Sequence, residues 1–137
     1  MRLALAGMTM LVALPASAAT LTIHVTGIQS QQGKINVAVC NGGFDVQGCP
    51  YGALLPPTMP SMDVVFPDLP DGRYAIAVYH DEDDDGELNK NVLTLPTEPY
   101  GFSNDIGRMG MPTFADGLVD VKGDTTIQVT VKPLFGG

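Results

Sequence analysis

Six carboxylates crowd into the seven positions Asp81 to Glu87 of this 137-residue chain, in the run His80-Asp-Glu-Asp-Asp-Asp-Gly-Glu-Leu-Asn89. Asp81, Asp83 and Asp85 alternate and Gly86 follows, the spacing of the first half of a calcium-binding loop. Counting Asp81 as position 1 puts Asp83 at 3, Asp85 at 5 and Gly86 at 6. Glu87 then offers its carbonyl at 7, and Asn89 sits at 9. Position 12 is Val92, so the bidentate acid that usually completes the shell must come from elsewhere, with Glu98 and Asp105 as candidates. The loop follows a strand-like segment, whereas a true EF-hand has helices on both sides. A Ca²⁺ loop grafted onto a β-scaffold, with Kd on the order of 10⁻⁴–10⁻³ M, fits this half-motif. The competing reading is a solvated turn whose Asp and Asn side chains satisfy its own amides. Carboxylates about 4 Å apart repel by about 1 kcal/mol each in water, and a purely structural turn has no need of so many.

Other residue types with chemical potential are sparser. Met59, Met62, Met109 and Met111 form two close pairs, and thioethers with an imidazole such as His24 or His80 can hold Cu(I). The same methionines can equally fill gaps beneath loops. Tyr100-Gly-Phe102-Ser103-Asn104 places aromatic rings beside a hydroxyl and an amide. It can serve as a recognition loop for a glycan or peptide, or as a plug whose polar residues fasten the loop to its own backbone. No nucleophile elbow, H-E-x-x-H helix or phosphate-binding glycine loop is present. Asp81 and Glu98 remain the one carboxylate pair conceivable for a hydrolase, and the chain reads as non-catalytic.

The elements that must position these groups are short. Met1-Arg2, an apolar stretch from Leu3 to Leu14, Pro15 and Ala16-Ser17-Ala18 have the form of a secretory signal peptide over residues 1–18. The mature chain of residues 19–137 is then a single domain of about 119 residues, exported to the periplasm or beyond the cell, with no further membrane insertion. Loss of Arg2 leaves six basic against fifteen acidic residues, which argues against nucleic acid as a partner. Cys40 and Cys49 in such a compartment suggest a disulfide closing the glycine-rich loop between them, contributing about 2–3 kcal/mol by loop entropy.

Alternation of Leu21, Ile23 and Val25, then of Ile35, Val37 and Val39 after Gln31-Gln32-Gly33, suggests two strands joined as a hairpin. Met62 to Phe66, Arg73 to Tyr79, Leu118 to Val121 and Thr125 to Val131 continue the pattern, with Gly123-Asp124 as a turn. Ala75 and Ala77 mark the Arg73–Tyr79 segment as a central strand covered on both faces. About seven short strands predict an all-β, antiparallel β-sandwich, immunoglobulin-like or transthyretin-like. Residues 80–117 contain no convincing long strand, and a segment of that length is expected to be ordered and functional.

Two linked motifs carry a resemblance. Leu69-Pro70-Asp71-Gly72-Arg73-Tyr74-Ala75-Ile76-Ala77-Val78-Tyr79-His80-Asp81-Glu82 runs into the acidic loop, followed by Leu95-Pro96-Thr-Glu98-Pro-Tyr100-Gly-Phe102-Ser103-Asn104 and the short element Gly110-Met-Pro112-Thr-Phe114. These resemble the exported bacterial family called domain of unknown function 2141. Asp83 and Asp85 stand where that family often has Asn, and Asn89 where it often has Asp. The resemblance implies an exported β-sandwich and no established activity.

Overall fold

The computed structural model describes residues 18–84, 98–108 and 110–133. Within them lie eight strands: β1 (Ala18–Thr26), β2 (Lys34–Cys40), β3 (Tyr51–Leu55), β4 (Ser61–Pro70), β5 (Gly72–Asp81), β6 (Tyr100–Phe102), β7 (Leu118–Val121) and β8 (Thr125–Thr130). Short 3-10 turns at Val46–Gly48, Ser103–Asp105 and Phe114–Gly117 complete the described structure. The strands form two sheets, one ordered β4-β1-β8 and the other β3-β2-β5-β6, with β7 also paired to β5.

Strand periodicity explains the layers. Leu21, Ile23 and Val25 on β1, with Val64 and Phe66 on β4 and Val129 on β8, turn one face of the smaller sheet inward. Ile35, Val37 and Val39 on β2 meet them from the larger sheet, together with Tyr74, Ile76 and Val78 on β5. These alternate side chains are nearly all without exposed surface, the expected core of a sandwich. The all-β expectation therefore holds, with β5 central as its composition suggested: β2 lies on one edge, and β6 and β7 share the other.

Three features depart from the sequence reading. The segment through Gln31-Gln32-Gly33 is not a hairpin, because β1 and β2 belong to different sheets and the chain crosses between layers there. Gly33 has a positive φ of 70°, and a Cβ there would collide with the Asp81 carbonyl, so only glycine lets this crossing press against the end of β5. Second, β8 pairs with β1 in parallel, while the other strand pairs are antiparallel. Third, β3 and β6 are additional strands. Tyr51, Ala53 and Leu55 of β3 pack against the core while Gly52 and Leu54 face out.

Cys40 and Cys49 form the expected disulfide. Inside its loop, Gly48 N–H donates to Asp45 Oδ1 at 2.8 Å, and Asn41 and Gly42 amides both reach Gly48 O. The loop thereby presents Phe44 to Phe102 and Phe114, with ring centroids 5.0 and 5.4 Å away in edge-on arrangements. No helix among the described residues is long and apolar enough to cross a membrane. The disulfide belongs to an oxidising, non-cytoplasmic environment.

Tyr74 is buried at the start of β5, its hydroxyl donating to Pro70 O at 2.6 Å. Burial, then Tyr51 and Asp71, raise its pKa above the ordinary 10.0. The folded state thus holds this proton more tightly than the unfolded chain. Its contribution is complete below pH 10.0 and is lost as pH rises through the higher folded value. Tyr74→Phe should cost about 1 kcal/mol at neutral pH. In urea melts, its stability should decline less steeply than that of the wild type between about pH 9 and 11.

Candidate acidic site and the loop that builds it

The acidic run begins where β5 ends. Asp81 is the last residue of that strand, and Asp84 N–H donates to Asp81 O at 3.3 Å as the chain turns, with Asp84 at a φ of 56°. Returning chain lies alongside: His80 N–H donates to Pro99 O at 2.8 Å, and β6 then pairs with β5 through Tyr79↔Tyr100 and Ala77↔Phe102. This pairing delivers Glu98 to the turn. Its carboxylate accepts the Glu82 amide at 2.7 Å, across sixteen residues of sequence.

Asp81, Asp83 and Glu98 consequently converge, each offering an oxygen within 4.8 Å of the others. Oxygens that share one Ca²⁺ at 2.3–2.6 Å lie at most about 5 Å apart, so the separation matches a common ion. Asp81 is 1% exposed and Glu98 5%, whereas Asp83 reaches solvent. Like charges at this spacing repel by about 3–4 kcal/mol per pair at an effective dielectric near 20, well above the value in open water. A divalent cation reverses the sign of that interaction.

Of the other expected ligands, Asp85, Glu87 and Asn89 lie outside the described residues. Asp105, the alternative to Glu98, is elsewhere, exposed and 3.6 Å from Arg108 Nε. Among the described residues, the Met62 thioether and the His24 imidazole do not share a face. Met62 lies opposite Val25 and packs against the core, while His24 is on the other face of the sheet with Asp63 at 2.6 Å. His80 is buried with Nε2 2.6 Å from Gln32 O, Met59 and Met111 are exposed, and Met109 lies outside the described residues.

The Tyr100–Asn104 residues are fasteners. β7 covers Gly72 to Ala75 on the edge of β5 and β6 covers Ala77 to Tyr79, leaving Ile76 between them. Ser103 fills that gap: its buried hydroxyl accepts the Ile76 amide at 2.9 Å and donates to Gly117 O. Asn104, at a φ of 58°, donates to Asp116 O and Leu118 O at 3.0 and 3.1 Å. Tyr100 OH donates to Gly107 O, and Phe102 joins the aromatic cluster.

Arg108 is the residue that sequence reasoning missed. Its guanidinium lies 4.4 Å from the centroid of the Tyr100 ring and donates to the carbonyls of Tyr100, Thr130 and Lys132. It closes the corner where the two sheets meet, beside the mutual Tyr100–Lys132 backbone bonds. The available signal was its rarity, a lone arginine in a glycine-rich stretch of an acidic chain.

A family model described as "Uncharacterized protein conserved in bacteria (DUF2141)" matches residues 23–128, and the chain belongs to that family. No curated protein and no solved structure gives a match.

Ser103→Ala should orphan the buried Ile76 amide and cost about 1–3 kcal/mol in urea unfolding. Arg108→Lys should lose about 2–3 kcal/mol, because one ammonium cannot satisfy three carbonyls and the ring together. Full stability in both variants would refute the fastening roles.

Proposed function

We propose that this member of the DUF2141 family is an exported, non-catalytic β-sandwich module whose acidic turn binds Ca²⁺ through Asp81, Asp83 and Glu98. Asp85, Glu87 and Asn89 are the further oxygen donors that the loop spacing supplies. The observation that carries this reading is the approach of Glu98: a carboxylate distant in sequence reaches a turn already rich in carboxylates and is buried there. Export is supported by the signal-like residues 1–18 and by the disulfide.

The ion ties the end of β5 to the start of β6. It offsets the repulsion among the three carboxylates and holds the long segment in register for recognition of a protein or glycan. An affinity of the order of 10⁻⁴–10⁻³ M suits an extracytoplasmic module whose ion serves structure and not signalling.

Thermal unfolding of the mature protein in EDTA, Ca²⁺ and Mg²⁺ tests the assignment. A site with Kd near 0.1 mM should add about 2.7 kcal/mol at a hundredfold excess of Ca²⁺. For a chain of this size that is roughly a 10 °C rise in Tm. Glu98→Gln keeps an acceptor for the Glu82 amide but removes the charge, so it should fold in EDTA and lose most of the Ca²⁺ response, as should Asp83→Ala. An equal, small rise with both ions that survives both substitutions would reduce the turn to a solvated bend.

A further inference from the structure

The two sheets touch where Tyr100 and Lys132 exchange backbone hydrogen bonds, and Arg108 lies across that junction. Beyond it the chains part around an open groove of about 440 Å³. That lies at the smaller end of ligand pockets, which span roughly 300–1,000 Å³. Phe102 of β6 and Asn104 and Asp105 of the turn after it form one wall, and Gln128 and Lys132 form the other. Val119 and Ile127 border the groove where they pack against the core.

The walls differ in hydrogen-bonding sense. Asn104 uses both amide protons on Asp116 O and Leu118 O, which leaves its Oδ1 to accept. Asp105 is an acceptor too, with its side chain 67% exposed. Opposite them, the Lys132 ammonium only donates, and the Gln128 amide donates and accepts. Both of these side chains are exposed, and neither bonds another described group. Arg108 Nε lies 3.6 Å from Asp105 Oδ1, so the charge of that carboxylate is already matched.

These terms select an occupant. A cationic ligand gains little from a carboxylate matched by Arg108, and a net charge of −8 opposes an anion approaching Lys132. An added peptide strand finds only the outward peptide groups of Thr126 and Gln128, because Arg108 takes the Thr130 carbonyl and Tyr100 takes the backbone of Lys132. A hydroxyl is donor and acceptor at once, so a neutral polyol can satisfy an acceptor wall and a donor wall together. The half-buried Phe102 offers apolar surface to the C–H groups of a sugar ring. We infer that this groove binds a neutral sugar, held between Asn104 and Asp105 on one side and Gln128 and Lys132 on the other. The assignment rests on the recognition role proposed above and names its ligand class, but it uses none of the calcium ligands.

The probes are the methyl pyranosides of glucose, galactose, mannose and N-acetylglucosamine at millimolar concentrations, with backbone amide shifts followed by NMR in EDTA and in Ca²⁺. At least one should move the amides of Phe102 to Asp105 and of Gln128 in a saturable way. Gln128→Ala and Lys132→Ala alter exposed side chains, so both should fold and each should weaken that sugar by about fivefold. Thr126→Ala, on the same strand but outside the groove, should leave the affinity unchanged. No saturable shift with any of the four sugars overturns the proposal, as does unchanged affinity in both groove variants. N-acetylalanine methylamide is the peptide control. Saturable shifts with it and with none of the sugars would keep the recognition role and overturn the sugar assignment. Equal sugar binding in EDTA and in Ca²⁺ is expected, so this result stands even if the ion site fails. Binding only in Ca²⁺ would put the sugar on the ion and overturn the groove.

Discussion

The outer edge of β5 is the constraint on which the rest depends. β5 lies in the middle of the larger sheet, where an amide left without a partner would cost about 1–3 kcal/mol. Three distant pieces of chain meet that demand in sequence: β7, the Ser103 hydroxyl and β6. Each piece, once placed, carries something else. β6 brings Glu98 to the acidic turn and Phe102 to the aromatic cluster, and the Ser103–Asn104 step brings the start of β7 into line. The chemistry of the turn is therefore a by-product of satisfying one strand's backbone.

The two sheets need more than their shared core to stay in register at this corner. Arg108 takes three backbone carbonyls belonging to both sheets and lies on the Tyr100 ring. Nearby, Gly101 presses so close to the Thr130 carbonyl that any Cβ would collide with it. The disulfide loop covers the opposite flank of Phe102 through Phe44. The described residues 98–108 are thus gripped from both layers, which is what a stretch poor in periodic strands requires in order to hold a defined shape.

Strands with apolar alternation were legible in the amino-acid order, because Leu21-Ile23-Val25 and Ile35-Val37-Val39 can bury only one face. β3 was not, since Leu54 is apolar yet exposed and blurs the period of Tyr51, Ala53 and Leu55. β6 spans three residues and has no period to detect; its existence follows from the needs of β5. The hairpin inferred at Gly33 failed because a positive φ serves a crossing between layers as well as a tight turn. At the acidic turn, ligand spacing was readable locally and Glu98 could be named as a candidate. Its preference over Asp105 came only from strand pairing, since Asp105 is taken by Arg108.

The parallel pairing of β1 with β8 joins partners about a hundred residues apart, as the Thr26–Thr130 hydroxyl contact illustrates. β4 follows β1 closely in the chain, but the other edge of β1 stays open until β8 is available to pair with it. Closing so long a loop is entropically slow, and β topologies rich in such distant pairings fold on the slower side of the range. The smaller sheet is therefore the later of the two to close, and until β8 arrives β1 keeps one open edge.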